Sequence, residues 1–516
     1  MSNDRTSGAE PFVRDTRFFG HPRGLATLFF TETWERFSFY GLRPLLVLFM
    51  AAALAEGGFG FDRGQASAIV GIYGAFVYVA SLPGGWVADR LLGLRRAILI
   101  GAILITAGHL SIGLSGMAGA GAGKIFFFLG LILIVFGTGL LKPNISAIVG
   151  DLYPEGGARR DAGFSIFYMG INLGAFAGQL VTGFLGEAVG WHYGFGAAGV
   201  GMLVGLIVYW LTAHKTLGPI GLEPTRNPDS VLQLKQERQV KLALGVGMGL
   251  IAMVFTLAAT GLIALDAQVL GGYMTFVLVG IAVAFFGYVF AAGNLSSDER
   301  KRVGVIVVLF IFAAIFWSAF EQAPTSLNLF ARDFTDRQLG DFTVPATWFQ
   351  SVNSAFIILC APVFAAIWTG LGKRGIDLSS PAKFTLGLFF AGLGFFIMIF
   401  AAKSVVASGG TLLVSPWWLV ASYFLQTLGE LCLSPVGLSS MTKLSPRKFV
   451  GQMMGIWFLA SAVGNLIGGL VGGNVDPEKL EQMPKLFTVT TMSLFVATAI
   501  LGALIVPVRR MMSGVK

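Results

Sequence analysis

Fourteen apolar stretches of about 20 residues or more run the length of the chain, separated by short polar breaks. A helix needs about that length to cross a bilayer, and within hydrocarbon every backbone polar group must be satisfied internally. The stretches lie at about 24–54, 64–88, 97–116, 125–149, 162–186, 193–213, 242–264, 270–294, 303–330, 345–371, 384–402, 412–441, 449–472 and 486–508. They predict an all-α polytopic membrane protein. Composition excludes the other classes: the 516 residues are 55% apolar and only 12% charged. A soluble domain carries roughly 25% charge, and disorder needs low hydrophobicity with high charge. Seventy glycines suit helices that approach closely. Cys360 and Cys432 both fall in apolar stretches and read as packing residues, not as a disulfide or metal site. The first 23 residues are polar and lack the apolar core of a removable signal peptide.

Lys and Arg fix an orientation. With the N-terminus inside, 26 of them fall in inside segments, from Arg5 through Arg226 to Lys516, against 7 outside, Arg63 and Arg332 among them. One missed helix would invert every later segment, so an even number of spans with both termini cytoplasmic is expected. The net charge of +9 is then an orientation signal that touches anionic lipid, and no nucleic-acid partner is expected.

The remaining charges fall inside the stretches: Glu32, Glu35, Arg36, Arg43, Lys142, Glu321 and Glu430. Each costs at least about 2.5–3.5 kcal/mol at membrane depth, so each must face water or a partner. Glu32, Glu35, Arg36, Tyr40 and Arg43 share an arc of about 140° on the first helix. A structural ladder through Glu32 and Arg36 is the plainer reading; Arg43, which lacks a partner on that helix, argues for more. Lys142 precedes Pro143, which can open the helix locally, and reads as an anion partner or as a side chain snorkelling to the interface. Glu321 follows Trp317 and precedes Pro324. Glu430 reads as a functional acid or as a buried packing one. Acids outnumber bases by one here, so one carboxylate is expected to be protonated or unpartnered, and a set of acids with exchangeable partners is a plausible proton relay. Tyr78, Tyr168, Asn172, Asn353 and Ser434 add neutral polar groups, Trp317 and Trp457 add aromatic ones, and His109 reads as structural. No residues stand at metal spacing.

The segment GGWVADRLLGLRR at 84–96 resembles the loop motif of the major facilitator superfamily, with a weaker echo, GLGKRG, at 370–375. More closely, TETWERFSFYG at 31–41 is similar to the signature of the proton-dependent oligopeptide transporter family. GTGLLKPN at 137–144, FYMGINLG at 167–174, FWSAFEQ at 316–322 and GELCLSPVGL at 429–438 follow in the same order. The resemblance implies a major facilitator fold, with six-helix bundles over 24–214 and 302–510. Tails at 1–23 and 511–516 flank them, and a linker over 215–301 carries two extra transmembrane helices. It implies a proton-coupled symporter in the inner membrane of a prokaryote, importing di- and tripeptides, and peptide-like drugs, as a functional monomer. No cofactor beyond the coupling proton is expected.

Residue by residue, Glu32, Glu35, Arg36 and Glu321 match proton-coupling positions. Arg36, Arg43 and Lys142 match the cationic side of the site, where a peptide carboxylate binds. Glu430, with Asn172 and Asn353, matches the peptide amino-terminal end, and Tyr40, Tyr78, Trp317, Ser434 and Trp457 match lining positions. Arg43 with Glu321, and Lys142 with Glu430, resemble gating salt bridges. Phe39 departs from the family, which often has Tyr there.

A zwitterionic peptide requires a cation and an anion at its two ends, which agrees with this set. GAGAGK at 119–124 fails as a P-loop, since Ala118 and Ile125 stand where Gly and Ser or Thr are needed. An enzyme would want a metal cluster or a nucleophile with a base; Ser434 lies near Glu430 without a His. A channel is the rival that tracer counterflow separates from a carrier. Within the family, a carrier of another small anion or zwitterion is the alternative.

Overall fold

The computed structural model describes residues 11–225, 229–375 and 378–512. Arg5, Arg226 and Lys516, used above for orientation, and the tail from 513 onward lie outside the described residues. Among the described residues fourteen long helices follow one another. They are α1 (Arg23–Ala51), α2 (Arg63–Val79, prolonged by Ser81–Val87 and a wide turn at Ala88–Leu92), α3 (Leu94–Ser115), α4 (Gly119–Asp151) and α5 (Gly157–Phe184). Then come α6 (Trp191–Thr216), α7 (Ser230–Ala259), α8 (Ala267–Ala292), α9 (Ser297–Phe320) and α10 (Trp348–Lys373). The last four are α11 (Ser380–Ala407), α12 (Trp417–Leu444), α13 (Val450–Val471) and α14 (Gln482–Met511).

Thirteen of the described helices are long and apolar enough to cross a membrane. The exception is α1, which has the length but carries Glu32, Glu35, Arg36 and Arg43.

Two compact units divide the chain: Met1–Leu42 with Val79–Asp266, and Arg43–Tyr78 with Ala267–Lys516. In the first, α1 lies against a glycine stripe on α5. Gly170, Gly174 and Gly178 recur every fourth residue, and a Cβ on Gly174 would strike the Thr33 carbonyl and Arg36 Cβ. Small residues at this spacing let backbones meet where lipid offers no competing hydrophobic drive. In the second unit, α13 meets α2 and α9 in the same way: Gly469 abuts Gly71, and Gly464 and Gly468 abut the backbone at Trp317 and Glu321.

Proline acts differently at three sites. Pro143 and Pro435 lie inside α4 and α12, which continue through them, so the helix that carries Lys142 is unbroken. At Pro324 the helix does change. α9 ends at Phe320, Glu321 is its C-cap, and a wide turn over Ala323–Leu327 leads to a short helix, Asn328–Phe334. Beyond it, an antiparallel hairpin pairs Gln338 with Thr343 and Leu339 with Phe342.

The two extra helices belong to different units. Asp229 caps α7, its carboxylate accepting from the amide of Val231 at 2.8 Å, yet no residue in the apolar part of α7 is buried. α8 is seated: Gln65 accepts from the Ala267 amide at 3.0 Å, and Gly271 lies against Leu470 and Ile72.

Candidate substrate and proton site

On α1 the first cluster is fully buried. Arg36 Nε lies 3.0 Å from Glu32 Oε1 and also pairs with Glu35. All three residues are at most 2% exposed. The i,i+4 ladder is therefore present, and a second carboxylate shares its guanidinium. Among the described residues Glu32 Oε2 and Glu35 Oε1 find no hydrogen-bond donor, which is costly for a buried ionised group. Lys142 on α4 is near enough to act electrostatically on Glu32. The Arg36 guanidinium also lies 5.3 Å from the centre of the Phe39 ring. That contact needs the face of the ring and no hydroxyl, so phenylalanine serves it as well as tyrosine. Tyr40 is half-buried, its ring edge-on to Phe39. Asn172, on α5, is 5% exposed and donates to the Tyr168 carbonyl at 3.0 Å.

The second unit holds the other end of the polar face of α1. Arg43 pairs with Glu321 and donates from the same nitrogen to Asn465 Oδ1 at 2.6 Å. Glu321 is thus held by a residue 278 positions away in sequence. On α12, Glu430 accepts from Asn353 Nδ2 at 3.2 Å, and that amide also donates to Thr427 at 2.9 Å. Glu430 and Glu321 feel one another electrostatically. Trp317 is 8% exposed and its indole N–H has no acceptor among the described residues. Trp457 packs over Gly437, where any side chain would collide with its ring, and edge-on to Phe384. Tyr78 stacks on Phe458, and Ser434 is half-buried one turn after Glu430. His109 is 1% exposed with both ring nitrogens unpartnered among the described residues.

Sequence reasoning passed over two groups here. Asn465 sits in the apolar run WFLASAVGNLIGG and was hidden by it. Arg63 counts there only as an outside loop charge and Asp333 is not singled out, yet the two pair at 2.5 Å. Arg63 also lies 4.0 Å from Asp476 and donates to the Val475 carbonyl at 3.2 Å.

Buried charges of both signs, each held by a polar partner, suit carriage of a charged solute across a membrane. The POT family profile matches residues 95–486. The chain belongs to the POT family. It is 47% identical to the peptide transporter YePEPT of Yersinia enterocolitica, over 96% of each chain. It is 38% identical to a di-/tripeptide transporter of Lactococcus lactis, over 88% of this chain and 90% of that one. It superposes with a TM-score of 0.88 on a crystal structure of a mutant peptide transporter POT in complex with alafosfalin, at 41% identity, covering 99% of this chain and 100% of that one. A POT protein has a major facilitator fold and is a transporter, not an enzyme, and the chain is an integral membrane protein of a bacterium.

Proposed function

We propose that the chain imports di- and tripeptides, and peptide-like drugs, by proton-coupled symport across the inner membrane, with both termini in the cytoplasm. The observation that carries this reading is the buried Arg43–Glu321 pair in the same unit as a second acid, Glu430, held by the Asn353 amide. A free peptide presents a carboxylate and an ammonium about one or two residues apart. Arg43, with Arg36 and Lys142, supplies cations for the first, and Glu430, with Asn353 and Asn172, receives the second. Tyr40, Tyr78, Trp317, Ser434 and Trp457 line the space for side chains.

A proton arriving on Glu321, or on the Glu32–Glu35 pair, neutralises a carboxylate beside a guanidinium. The cation so released holds the peptide carboxylate. Exchange of such ion pairs, Arg43 with Glu321 on one side and Lys142 with Glu430 on the other, opens each side in turn. The moving parts are six-helix bundles over 24–214 and 302–510, with α7 and α8 as an insertion outside the path. The carrier works as a monomer and needs no cofactor besides the proton. Each proton entering through 100 mV contributes about 2.3 kcal/mol of driving force.

Uptake of labelled dialanine into proteoliposomes tests the reading. Accumulation is expected only with an inward proton gradient and is blocked by unlabelled peptide. Folded protein that takes up no dialanine under either condition would move the substrate to another small anion or zwitterion.

A further inference from the structure

Arg43 gives one nitrogen, Nη2, to two acceptors at once: the Glu321 carboxylate and Asn465 Oδ1, the latter at 2.6 Å. Asn465 is 1% exposed on α13. Its amide is oriented by its own helix, since Nδ2 donates to the Ser461 carbonyl at 2.9 Å. That bond uses one of the two amide N–H donors and turns the acceptor toward Arg43. The space for it is cleared by the absence of a side chain at Gly74, where a Cβ would run into Asn465 Oδ1. α2 passes close to α13 there, with Gly71 against the Asn465 carbonyl. A neutral acceptor is thus fixed from three directions beside a charged pair.

We infer that Asn465 is a positioning residue of the proton-coupled reaction: it holds the Arg43 guanidinium in place while Glu321 gains and loses its proton. This rests on the reading that Glu321 carries the coupling proton. A buried guanidinium that loses its carboxylate must find another acceptor or leave the site. An amide oxygen is the right replacement. It accepts a charge-assisted hydrogen bond, yet it cannot titrate and, being neutral, leaves the net positive charge of Arg43 for the peptide carboxylate to meet. Asn465 therefore shares Arg43 with Glu321 and sets how strongly the cation holds the carboxylate ionised. Of the titratable groups on neighbouring helices, Glu430 on α12 acts on Glu321 electrostatically, and the Arg63–Val79 part of α2 carries Tyr73 and Tyr78 besides Arg63. α13 itself carries none.

The sign follows. Without Asn465, more of the guanidinium charge bears on Glu321, and a higher proton concentration is needed to displace it. With a second carboxylate in its place, like-charge repulsion makes the site take its proton sooner. The test is the pH profile of dialanine uptake by proteoliposomes holding wild type, Asn465→Ala, Asn465→Asp and Glu321→Gln. In Asn465→Ala the half-maximal pH is expected to fall by about one unit, a tenfold change in proton concentration. In Asn465→Asp, which keeps the shape of the side chain, it is expected to rise. A merely structural role would lower the yield of folded carrier and leave both midpoints where they were. If Asn465→Ala does not fold, the rise in Asn465→Asp decides alone. Midpoints equal to wild type, in a protein whose pH-driven uptake Glu321→Gln abolishes, would overturn the inference and leave the coupling reading intact. If Glu321→Gln keeps pH-driven uptake, the coupling reading fails and the inference with it.

Discussion

Arg43 and Glu321 form an ion pair in which the two side chains are only 9% and 4% exposed. A pair so buried contributes little by existing and much by being broken asymmetrically, because the partner left behind is an uncompensated charge. That asymmetry suits a switch. Glu321→Gln keeps the shape of the side chain and one acceptor oxygen for Arg43, and removes its charge and its proton chemistry. Uptake driven by a pH gradient is expected to drop at least tenfold, while counterflow exchange of labelled for unlabelled dialanine at equal pH persists. Unchanged pH-driven uptake would remove Glu321 from the coupling path.

Arg63 joins three segments: the start of α2, Asp333 at the end of the short helix after α9, and Asp476 between α13 and α14. Both members of its closest pair are about one-sixth exposed, so solvent weakens the attraction. A double-mutant cycle on Arg63→Ala and Asp333→Ala is expected to give a coupling energy of about 1–2 kcal/mol by thermal unfolding in detergent. Arg63→Ala is expected to be the costlier single change, because it also abandons Asp476 and the Val475 carbonyl. Additive effects would make the cluster incidental.

The spans and the charged residues of this protein are legible in its sequence for one physical reason: hydrocarbon penalises charge so heavily that each exception marks itself. Glu32, Glu35, Arg36, Arg43, Lys142, Glu321 and Glu430 are found in this way before any family resemblance is invoked. Partnerships are less legible. The wheel of α1 puts Glu35 and Arg43 on one face, but it does not say that Glu35 serves Arg36 while Arg43 reaches Glu321. Asn465 is missed because a neutral amide in a helix pays little penalty and stands out little. Pro143 and Pro324 look alike in the sequence, and only tertiary packing makes one helix continue and the other stop.

Gly170 and Gly174 belong to the FYMGINLG motif, and with Gly178 they are first of all a packing device. A Cβ at Gly174 would meet backbone atoms of α1 that cannot swing aside. Gly174→Ala is expected to destabilise the folded carrier by about 1–3 kcal/mol through forced separation of α1 and α5. It should also reduce uptake, because Arg36 moves with its helix. Gly247→Ala on α7 is the control, since nothing lies within 4 Å of a Cβ placed there. Better helix propensity should leave its melting temperature unchanged or slightly raised. Equal melting temperatures for the two variants would show that α5 has room to yield.

Before α1, a small polar cluster gives the N-terminal segment a pH dependence of its own. His21 Nδ1 is 2.8 Å from the Tyr153 hydroxyl, and Arg159 donates to the Val13 and Asp15 carbonyls while lying 5.5 Å from the Tyr153 ring. Burial, and then Arg159, holds the His21 imidazole below its ordinary range. Burial also pushes the Tyr153 hydroxyl up to about 12, so it stays neutral at working pH. The Arg17 hydrogen bond, reinforced by Arg23, holds the Asp15 carboxylate well below the usual range. A base with a depressed folded pKa stabilises the native contact above its unfolded value, about 6.5 for histidine, and that stability is lost as the pH falls. Asp15 loses its contribution only in stronger acid. Hydrogen exchange of the amides that bond Phe18 to His21 in both directions reads this out. Their protection, corrected for the intrinsic rate, should fall between pH 7.5 and 5.5 in the wild type and stay flat in His21→Gln. Equal pH dependence in both proteins would place the titrating group elsewhere.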